Sequence, residues 1–564
     1  MPALIFPAAT LAAFFCHLSR LAHPACCASL WQLPDRKDAM PHRPFGPSFR
    51  FVALLCLATL LLGACATLPQ PPGGTPSQAL TNTADTRLGQ AIAGKLAQHP
   101  GLSAFYPLSE GSDALLARLA LARAAERSLD LQYYIFEADA TGKALVHELV
   151  GAADRGVRVR VLLDDLHMAG NDELLAVLDS HPNVEVRLFN PFANRGARWL
   201  NFLTDFSRLD RRMHNKSLTA DNQFTIVGGR NIGDGYFAAD AASDFTDLDV
   251  LAAGPVVHDV STVFDAYWNS AASYPVGAFA TPPADAATRL DAIRKSLEAD
   301  VVQARATPYG QAMMTSGMAR ALATNALPEY WGRATVIADD PQKVMRPPDD
   351  RAGHAMPELA RLLDQAQREL ALVSPYFVPD KTAMDWLRNI TARGVRVQIL
   401  TNSYAATDVS AVHAGYAPRR EALLKAGVDL YELKPSAYAE MARHGRRSTV
   451  SKSRASLHAK TYMVDQHLLF IGSLNLDPRS ALLNTEMGVV LDNAELGRKL
   501  AIDDRILDFA YKVMLEPDEH GTERLVWVTR ENGLLETYTE EPDMSFFQHA
   551  GQVFLRLLPI ESEL

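Results

Sequence analysis

Two stretches of this 564-residue chain follow the same pattern. The first reads MHNKSLTADNQFTIVGGRN from Met213, and the second reads LHAKTYMVDQHLLFIGSLN from Leu457. Each places a His two residues before a Lys and an Asp five residues after that Lys, and six further residues lead into Gly-x-x-Asn. A repeat of this length indicates an internally duplicated chain in which each copy belongs to its own structural unit.

The sequence around each copy is duplicated as well. An apolar-periodic helix leads into a short hydrophobic strand, and a second helix ends at Arg-Gly before a Val-rich buried strand. This alternation predicts an α/β fold with helices on the faces of a sheet. Its repetition predicts two α/β/α sandwich domains related by a pseudo-twofold axis, with a cleft between them. The matching segments begin at Leu119 and Glu148 in the first half and at Leu359 and Trp386 in the second.

The N-terminal region has the pattern of a lipoprotein signal peptide. Arg43 and Arg50 precede an apolar run over residues 51–62. This run is too short to span a bilayer comfortably. The LLGAC that follows resembles a bacterial lipobox and predicts acylation of Cys65. Acylation predicts a lipid-anchored protein of the bacterial cell envelope that faces the periplasm, and Ala66 after the anchor is compatible with the outer membrane.

The length of the chain favours two domains behind this leader, because one hydrophobic core rarely serves so many residues. Residues 270–330 are rich in Ala and are predicted to be helices that bridge the two halves. The sequence predicts a signal peptide over residues 1–64, whose true start is Met40, and a flexible tether over residues 65–84. An N-terminal domain over residues 85–330 and a C-terminal domain over residues 331–564 follow. The C-terminal domain is predicted to end in a hairpin and a short helix.

Charge and cysteine usage exclude several classes of protein. The formal net charge of −10 disfavours a general nucleic-acid-binding protein, so no nucleic acid partner is expected. All five Cys residues lie within the first 65 residues. The rest of the chain therefore has neither a disulfide framework nor a cysteine metal site.

The chemistry of the repeated pattern needs both copies. His214 and Lys216 point to the same face of a β-strand, because side chains alternate along a strand. Two such strands bring two imidazoles and two ammonium groups to one cleft, which suits a tetrahedral anion. One imidazole can attack phosphorus while the other protonates the leaving alcohol, and nothing in this set requires a metal or a cofactor. The second copy supplies His458 and Lys460, and Asn231 and Asn475 add amide donors after glycine turns.

The spacing of the two copies resembles the signature of the phospholipase D superfamily, and both copies match it in full. The resemblance covers most of the chain from about residue 110 onward. The stretches RRMHNKS, VGGRNIGDGYF and LLPIE are similar to the bacterial cardiolipin synthase branch. This resemblance implies that the two sandwiches are phospholipase D-like domains with the catalytic cleft between them.

The resemblance also implies a reaction in two steps. A His forms a covalent phosphohistidine with the phosphatidyl group, and an alcohol or water then displaces it. Carried over from the family, His214 is the nucleophile and His458 the acid and base, although pseudo-symmetry leaves the reverse assignment open. Lys216, Lys460, Asn231 and Asn475 bind phosphate oxygens, and Asp221 and Asp465 complete the catalytic motifs. In the family these two aspartates are more often structural, because they tie a strand to its neighbours.

An imidazole that works in this way needs a carboxylate on its other ring nitrogen to fix its tautomer and orientation. Glu486 in NTEMGVV is the candidate in the second half, and Asp247 in FTDLDVL is its counterpart in the first. Asp249 is the alternative to Asp247. Tyr134 and Tyr376 follow matching strands, where they can line the cleft.

Three activities of the superfamily compete: phosphatidyl transfer, phospholipid hydrolysis and nucleic-acid cleavage. Residues 194–214 mix arginines with aromatic and aliphatic side chains, and residues 443–454 are strongly basic, which suits a surface where headgroups and acyl chains meet. Phospholipid is therefore the expected substrate. The branch favours transfer to phosphatidylglycerol to give cardiolipin, with phosphatidylglycerol or phosphatidylethanolamine as donor. An inactive lipid-binding scaffold is disfavoured by the two complete His/Lys pairs.

Overall fold

The structure is a computed structural model that describes residues 68–69, 76–239, 243–324, 327, 329–437 and 454–544. All of these residues belong to one compact unit that begins at Ala64. The predicted signal peptide, the acylation site Cys65, most of the basic stretch 443–454 and the predicted C-terminal helix lie outside the described residues.

Among the described residues, the first half of the chain contributes eight strands to one sheet, and its remaining strand, Ser243–Thr246, belongs to a separate two-stranded sheet. Three parallel strands (β2, β3 and β4) lie at one side, and antiparallel strands continue the sheet in the order β4-β3-β2-β5-β6-β8-β1. The strands are β1 Ser103–Leu108, β2 Ser128–Tyr133, β3 Arg158–Asp164, β4 Val184–Phe189, β5 Ser217–Ala220, β6 Phe224–Gly228, β7 Ser243–Thr246, β8 Asp249–Ala253 and β9 Ser273–Pro275.

The second half repeats this order strand for strand. Its sheet runs β13-β12-β11-β15-β16-β17-β10, again with three parallel strands at one side. The strands are β10 Tyr330–Ala338, β11 Glu369–Val373, β12 Arg396–Asn402, β13 Val428–Leu433, β14 Arg454–Leu457, β15 Lys460–Val464, β16 Leu468–Gly472, β17 Met487–Asp492, β18 Ala510–Pro517, β19 Glu523–Glu531 and β20 Leu534–Tyr538. The predicted duplication of an α/β domain is thus confirmed.

Helices cover the sheets, and none of those in the described residues combines the length and apolar character needed to cross a bilayer. In the first half they are Arg87–Gln98, Gly111–Ala124, Ala140–Asp154, Asp172–Asp179, Arg198–Thr204, Phe206–Leu209, Pro255–Trp268, Ala286–Ala306, Pro308–Met314 and Gly317–Thr324. In the second half they are Met356–Leu363, Lys381–Ala392, Ser410–Tyr416, Arg420–Lys425, Pro478–Leu482 and Ala494–Leu500.

The two halves are joined into one body by backbone and by apolar side chains. Strands β1 and β10 pair in antiparallel fashion, so that the two sheets form one continuous sheet. A shared hydrophobic cluster contains residues of both halves, among them Val227 and Val250 of the first and Leu469 and Val489 of the second. Burial of apolar surface between the halves fixes their relative position, and the site described below depends on that position.

Two predictions about peripheral segments have different outcomes. Strands β19 and β20 form the expected C-terminal hairpin, which extends the second sheet through β18. The Ala-rich helices do not bridge the halves as predicted. They pack on helices of the first half instead, where Tyr309 donates to the Phe237 carbonyl and Asp113 accepts from the Met318 amide. Their apolar residues find a partner surface within their own domain.

Candidate active site

Backbone pairing between the halves places each motif histidine. Met213 pairs with Thr485 in a parallel bridge, and the His214 amide donates to the Thr485 carbonyl at 2.8 Å. In the second half, β14 pairs with β7, and the His458 amide donates to the Thr246 carbonyl at 2.8 Å. The residue before each motif histidine pairs with a residue of the other half, and that partner directly precedes a candidate carboxylate. The pairing therefore brings each histidine beside a carboxylate of the opposite half.

The two imidazoles consequently meet carboxylates across the domain boundary. His214 Nδ1 lies 2.8 Å from Glu486 Oε2, and His458 Nδ1 lies 2.6 Å from Asp247 Oδ2. A carboxylate at Nδ1 favours the tautomer with a proton there, which leaves the Nε2 lone pair available. Both predicted carboxylates thus contact an imidazole, and each contacts the imidazole of the opposite half, a pairing that the sequence does not reveal.

The motif lysines are buried beside the histidines. Lys216 Nζ donates to the His214 carbonyl at 2.5 Å and lies 5.4 Å from the centre of the Tyr134 ring. Lys460 Nζ donates to the His458 carbonyl and lies 5.9 Å from the centre of the Tyr376 ring. Burial lowers the pKa of both lysines, and each is also within electrostatic range of Asp247 and Glu486. The lysines and carboxylates of both halves therefore form one charge cluster.

Both motif asparagines are buried. Asn231 Oδ1 accepts from the Ile135 amide at 3.2 Å, which aims its amide group past the end of β2. Asn475 is buried, and its Oδ1 atom has no hydrogen-bond partner among the described residues. Buried amide groups of this kind are suited to contacts with a polar ligand.

Burial keeps both imidazoles neutral at neutral pH. It lowers the pKa of His214 well below the ordinary value of 6.5, and the charges of Lys216 and Lys460 act in the same direction. Burial and Lys460 likewise lower the pKa of His458 to about 4, although Asp247 raises it. A neutral imidazole is the form that can attack phosphorus, so both rings are competent as nucleophiles.

The two carboxylates differ in their charge state. Burial raises the pKa of Glu486 to about 7, against the opposing effect of Lys216 and of two serine hydroxyls. Burial also acts to raise the pKa of Asp247, but His458 and Lys460 lower it to about 2. The His458 pair thus has a permanently charged partner, whereas the His214 pair has one that titrates near neutral pH.

Sequence reasoning missed the hydroxyl groups that hold Glu486. Ser473 Oγ donates to Glu486 Oε2 at 2.5 Å, and Ser480 Oγ donates to Oε1 at 2.9 Å. The available signal was a difference between the two copies, because Gly229 occupies the place of Ser473 in the first copy. A Cβ atom at Gly229 would lie 2.2 Å from Asp247 Oδ1, so that copy has no room for a serine.

Asp221 and Asp465 contact backbone amides of neighbouring strands, which is the structural position that the family resemblance implies more often for them. Asp221 accepts from the backbone amides of residues 126–128, at the start of β2. Asp465 accepts in the same way from the amides of residues 367–369, at the start of β11. Each carboxylate is used to hold the end of a neighbouring strand, and both residues have positive φ angles of 51° and 50°. Asp249 is also structural, since it forms buried ion pairs with Arg118 and Arg230.

The aromatic and basic stretch before His214 has exposed apolar side chains, but most of its arginines are engaged in ion pairs. Four of its five arginines are paired with acidic groups: Arg195 and Arg198 with Asp165, Arg208 with Asp205 and Arg212 with Asp164. The fifth, Arg211, is buried and donates to the Arg346 carbonyl. These pairs leave little free positive charge. Large apolar side chains are nevertheless exposed there, namely Trp199, Leu203 and Phe206. The second basic stretch lies almost wholly outside the described residues.

Comparisons with known proteins agree with this geometry. The family described as "Cardiolipin synthase, PLD-like domain" matches residues 119–268 and 359–502. Cardiolipin synthase C of Escherichia coli (strain K12) is 42% identical over 479 residues, which cover 84% of this chain and 99% of that protein. The major cardiolipin synthase ClsA of Bacillus subtilis (strain 168) is 24% identical over 396 residues, which cover 70% of this chain and 66% of that protein.

A solved structure shares the overall fold. The crystal structure of phosphatidylserine synthase from Haemophilus influenzae Rd KW20 has a TM-score of 0.51 with this chain at 13% identity, covering 84% of this chain and 100% of that one. Each of the two matched family ranges contains one His/Lys pair and one of the two carboxylates. This chain therefore belongs to the phospholipase D superfamily and to its cardiolipin synthase-like branch.

Proposed function

We propose that this protein is a membrane-associated phosphatidyltransferase that forms cardiolipin through a covalent phosphohistidine. The observation that carries the proposal is the reciprocal pairing of His214 with Glu486 and of His458 with Asp247, together with two buried lysines in the same cluster. Two imidazoles and two lysine side chains are the groups that a two-step displacement at phosphorus requires.

In the first step, His214 Nε2 attacks the phosphorus of a phospholipid. The N–P bond forms and the bond from phosphorus to the headgroup oxygen breaks, while His458 gives its proton to that oxygen. Burial and Lys460 oppose the imidazolium form of His458, and the negative charge of the bound phosphodiester favours it. Lys216, Lys460 and the two asparagines stabilise the negative charge on the phosphoryl oxygens.

In the second step, an alcohol displaces the histidine. The alcohol oxygen bonds to phosphorus, the N–P bond breaks, and neutral His458 takes the proton of the hydroxyl group. With phosphatidylglycerol as the acceptor the product is cardiolipin, and with water it is phosphatidic acid. The similarity to cardiolipin synthases over most of the chain supports transfer, with phosphatidylglycerol or phosphatidylethanolamine as donor.

Acyl chains on Cys65 attach the enzyme to the membrane in this proposal. The lipobox-like sequence supports such an anchor, and the anchor would hold the cleft near a bilayer surface of the cell envelope, facing the periplasm. The exposed apolar residues Trp199, Leu203 and Phe206 are compatible with this position. Replacement of Cys65 by Ser tests the anchor, because the variant is expected in the soluble fraction after cell lysis and the unchanged protein in the membrane fraction.

Lipid mass spectrometry tests the activity. Purified protein is incubated with vesicles of mixed phospholipids and with glycerol, beside a His214→Ala variant. Cardiolipin from the unchanged protein and none from the variant is the expected result. Phosphatidic acid alone would identify a hydrolase instead, and an unchanged lipid composition would favour the scaffold.

A further inference from the structure

Asp408 is an acidic residue at the cleft that the two-histidine reaction does not use. It lies in the loop after β12, is exposed, and accepts a hydrogen bond from the Tyr376 hydroxyl at 2.7 Å through Oδ2. The same tyrosine ring lies against Lys460. The other carboxylate oxygen, Oδ1, has no hydrogen-bond partner among the described residues, so it can accept hydrogen bonds from a ligand.

Electrostatic contacts place Asp408 on the His458 side of the cleft. Burial lowers the pKa of Lys460, and Asp408 is among the carboxylates that oppose this effect. Asp408 also helps to raise the pKa of Tyr236, which burial raises most. The Tyr236 ring packs edge-on against the His458 ring, with 5.4 Å between their centres. The oxygen that His458 protonates or deprotonates belongs to the alcohol, so Asp408 lies on the side of the cleft where that alcohol binds.

The matching loop of the first half carries a different group. After β3, the exposed His167 ring packs edge-on against Tyr134 at 5.0 Å, and Tyr134 packs against His214 at 5.0 Å. The tyrosine beside each motif lysine thus meets an imidazole in the first half and a carboxylate in the second. The two sides of the cleft differ chemically, although the catalytic residues between them are nearly symmetric.

A carboxylate beside a phosphate-binding lysine opposes the binding of an anion, because like charges repel at short range. Hydrogen-bond donors on the ligand offset this cost, since bonds to a charged acceptor are stronger than bonds between neutral groups. A polyhydroxy alcohol such as a glycerol group brings such donors beside the oxygen that bonds to phosphorus. Water and simple alcohols have no second hydroxyl group on the same molecule, so they cannot form this additional hydrogen bond.

We propose that Asp408, held by Tyr376, binds the non-reacting hydroxyl groups of the alcohol on the His458 side and so selects polyhydroxy alcohols over water. This inference rests on the proposed phosphatidyl transfer. Asp408 forms and breaks no covalent bond, and it takes no proton. It acts as a specificity residue in the second step, when alcohol and water compete for the phosphohistidine.

The competition between acceptors measures this role directly. Full-length protein is incubated with phosphatidylglycerol vesicles and either isotope-labelled glycerol or n-propanol at the same concentration. Labelled lipid, propyl ester and phosphatidic acid are then quantified. We expect Asp408→Asn to lower the ratio of glycerol transfer to hydrolysis about tenfold, the loss of about one charge-assisted hydrogen bond. The ratio of propanol transfer to hydrolysis stays unchanged, because propanol has no hydroxyl group for Asp408 to bind.

Two further variants complete the experiment. Tyr376→Phe removes only the hydroxyl group that holds Asp408, and a smaller fall in the glycerol ratio is expected. Asp385→Asn is the matched control, because Asp385 is a partly exposed aspartate of the same half that pairs with Lys381 and Arg388. An unchanged glycerol ratio in Asp408→Asn, or an equal fall with both alcohols, overturns the proposal. Absence of all phosphatidyl products from the unchanged protein overturns the proposed function instead.

Discussion

At the scale of single residues, the two histidines are alike in geometry and different in their carboxylate partners. The charges of His458 and Lys460 lower the pKa of Asp247 to about 2, so it is ionised at neutral pH, whereas burial raises the pKa of Glu486 to about 7. A permanent negative charge stabilises an imidazolium ion, which suits a histidine that must carry a proton. This difference supports His458 as the acid and base and His214 as the nucleophile.

Replacement of Asp247 by Asn tests this assignment. The Asp247 carboxylate raises the pKa of His458, so the loss of this carboxylate lowers the pKa of His458. At a given pH, a smaller fraction of His458 is then in the imidazolium form. We expect kcat/KM for a natural phospholipid to fall about 100-fold or more, as general acid catalysis typically contributes 10²–10⁴-fold. The limb of the pH profile that depends on His458 moves to lower pH. A profile that keeps its position would contradict the assignment.

The residues of the candidate active site were largely predictable from the sequence, whereas the contacts between its histidines and carboxylates were not. The repeated spacing identified both His/Lys pairs and both asparagines as cleft residues, and the need for an oriented imidazole identified Glu486 and Asp247. No local pattern reports that Glu486 contacts His214 rather than His458. That choice depends on the pairing of Met213 with Thr485, two residues that lie far apart in the chain.

At the scale of secondary-structure elements, the motif aspartates connect strands. Asp221 accepts three successive backbone amides before β2, and Asp465 does the same before β11. Strands β2 and β11 lie next to the strands that follow each motif histidine. The aspartates therefore help to hold the sheet that carries the two motif histidines.

Replacement of Asp221 by Ala distinguishes a structural role of this residue from a catalytic one. The loss leaves backbone amides without their acceptor, so the free energy of unfolding falls by about 1–3 kcal/mol. Urea unfolding measures the loss. The kcat/KM of the folded protein stays within about threefold of the unchanged value, and Asp465→Ala behaves in the same way because its contacts are equivalent. A variant that keeps its full stability and loses its activity would restore a catalytic role to Asp221.

The regular elements were easier to predict than the connections between them. Hydrophobic strands and Arg-Gly helix ends are local signals, and the structure contains them in both halves. The pairing of β7 with β14 could not be predicted, because both strands are short and each finds its partner in the other half. The helices over residues 286–324 were assigned to the wrong place, since their composition indicates helix without indicating which surface they cover.

At the scale of the whole molecule, the two halves form one structure because each completes the site of the other. Their apolar faces share a cluster in which Leu469 is fully buried. Stability and activity therefore depend on the same interface, which holds both imidazoles against carboxylates from the opposite half.

Replacement of Leu469 by Ala tests this dependence. Removal of a buried leucine side chain typically costs about 2–5 kcal/mol, and here the loss falls on an interface that both halves use. Hydrogen exchange followed by mass spectrometry across a urea series reports on each strand separately. We expect strands of both halves to lose protection at the same lowered urea concentration. If strands β2 and β3 keep the urea midpoint of the unchanged protein, the two halves unfold independently and this account is contradicted.

The covalent intermediate is the most direct test of the reaction. A phosphatidyl ester of p-nitrophenol needs no proton for its leaving group, so the first step outruns the second and the intermediate accumulates. After an alkaline quench, which preserves phosphohistidine, peptide mass spectrometry is expected to find one phosphatidyl group on the peptide that contains His214, and none in His214→Ala. Release of p-nitrophenol without any adduct, or an adduct on the peptide that contains His458, would contradict the proposed roles of the two imidazoles.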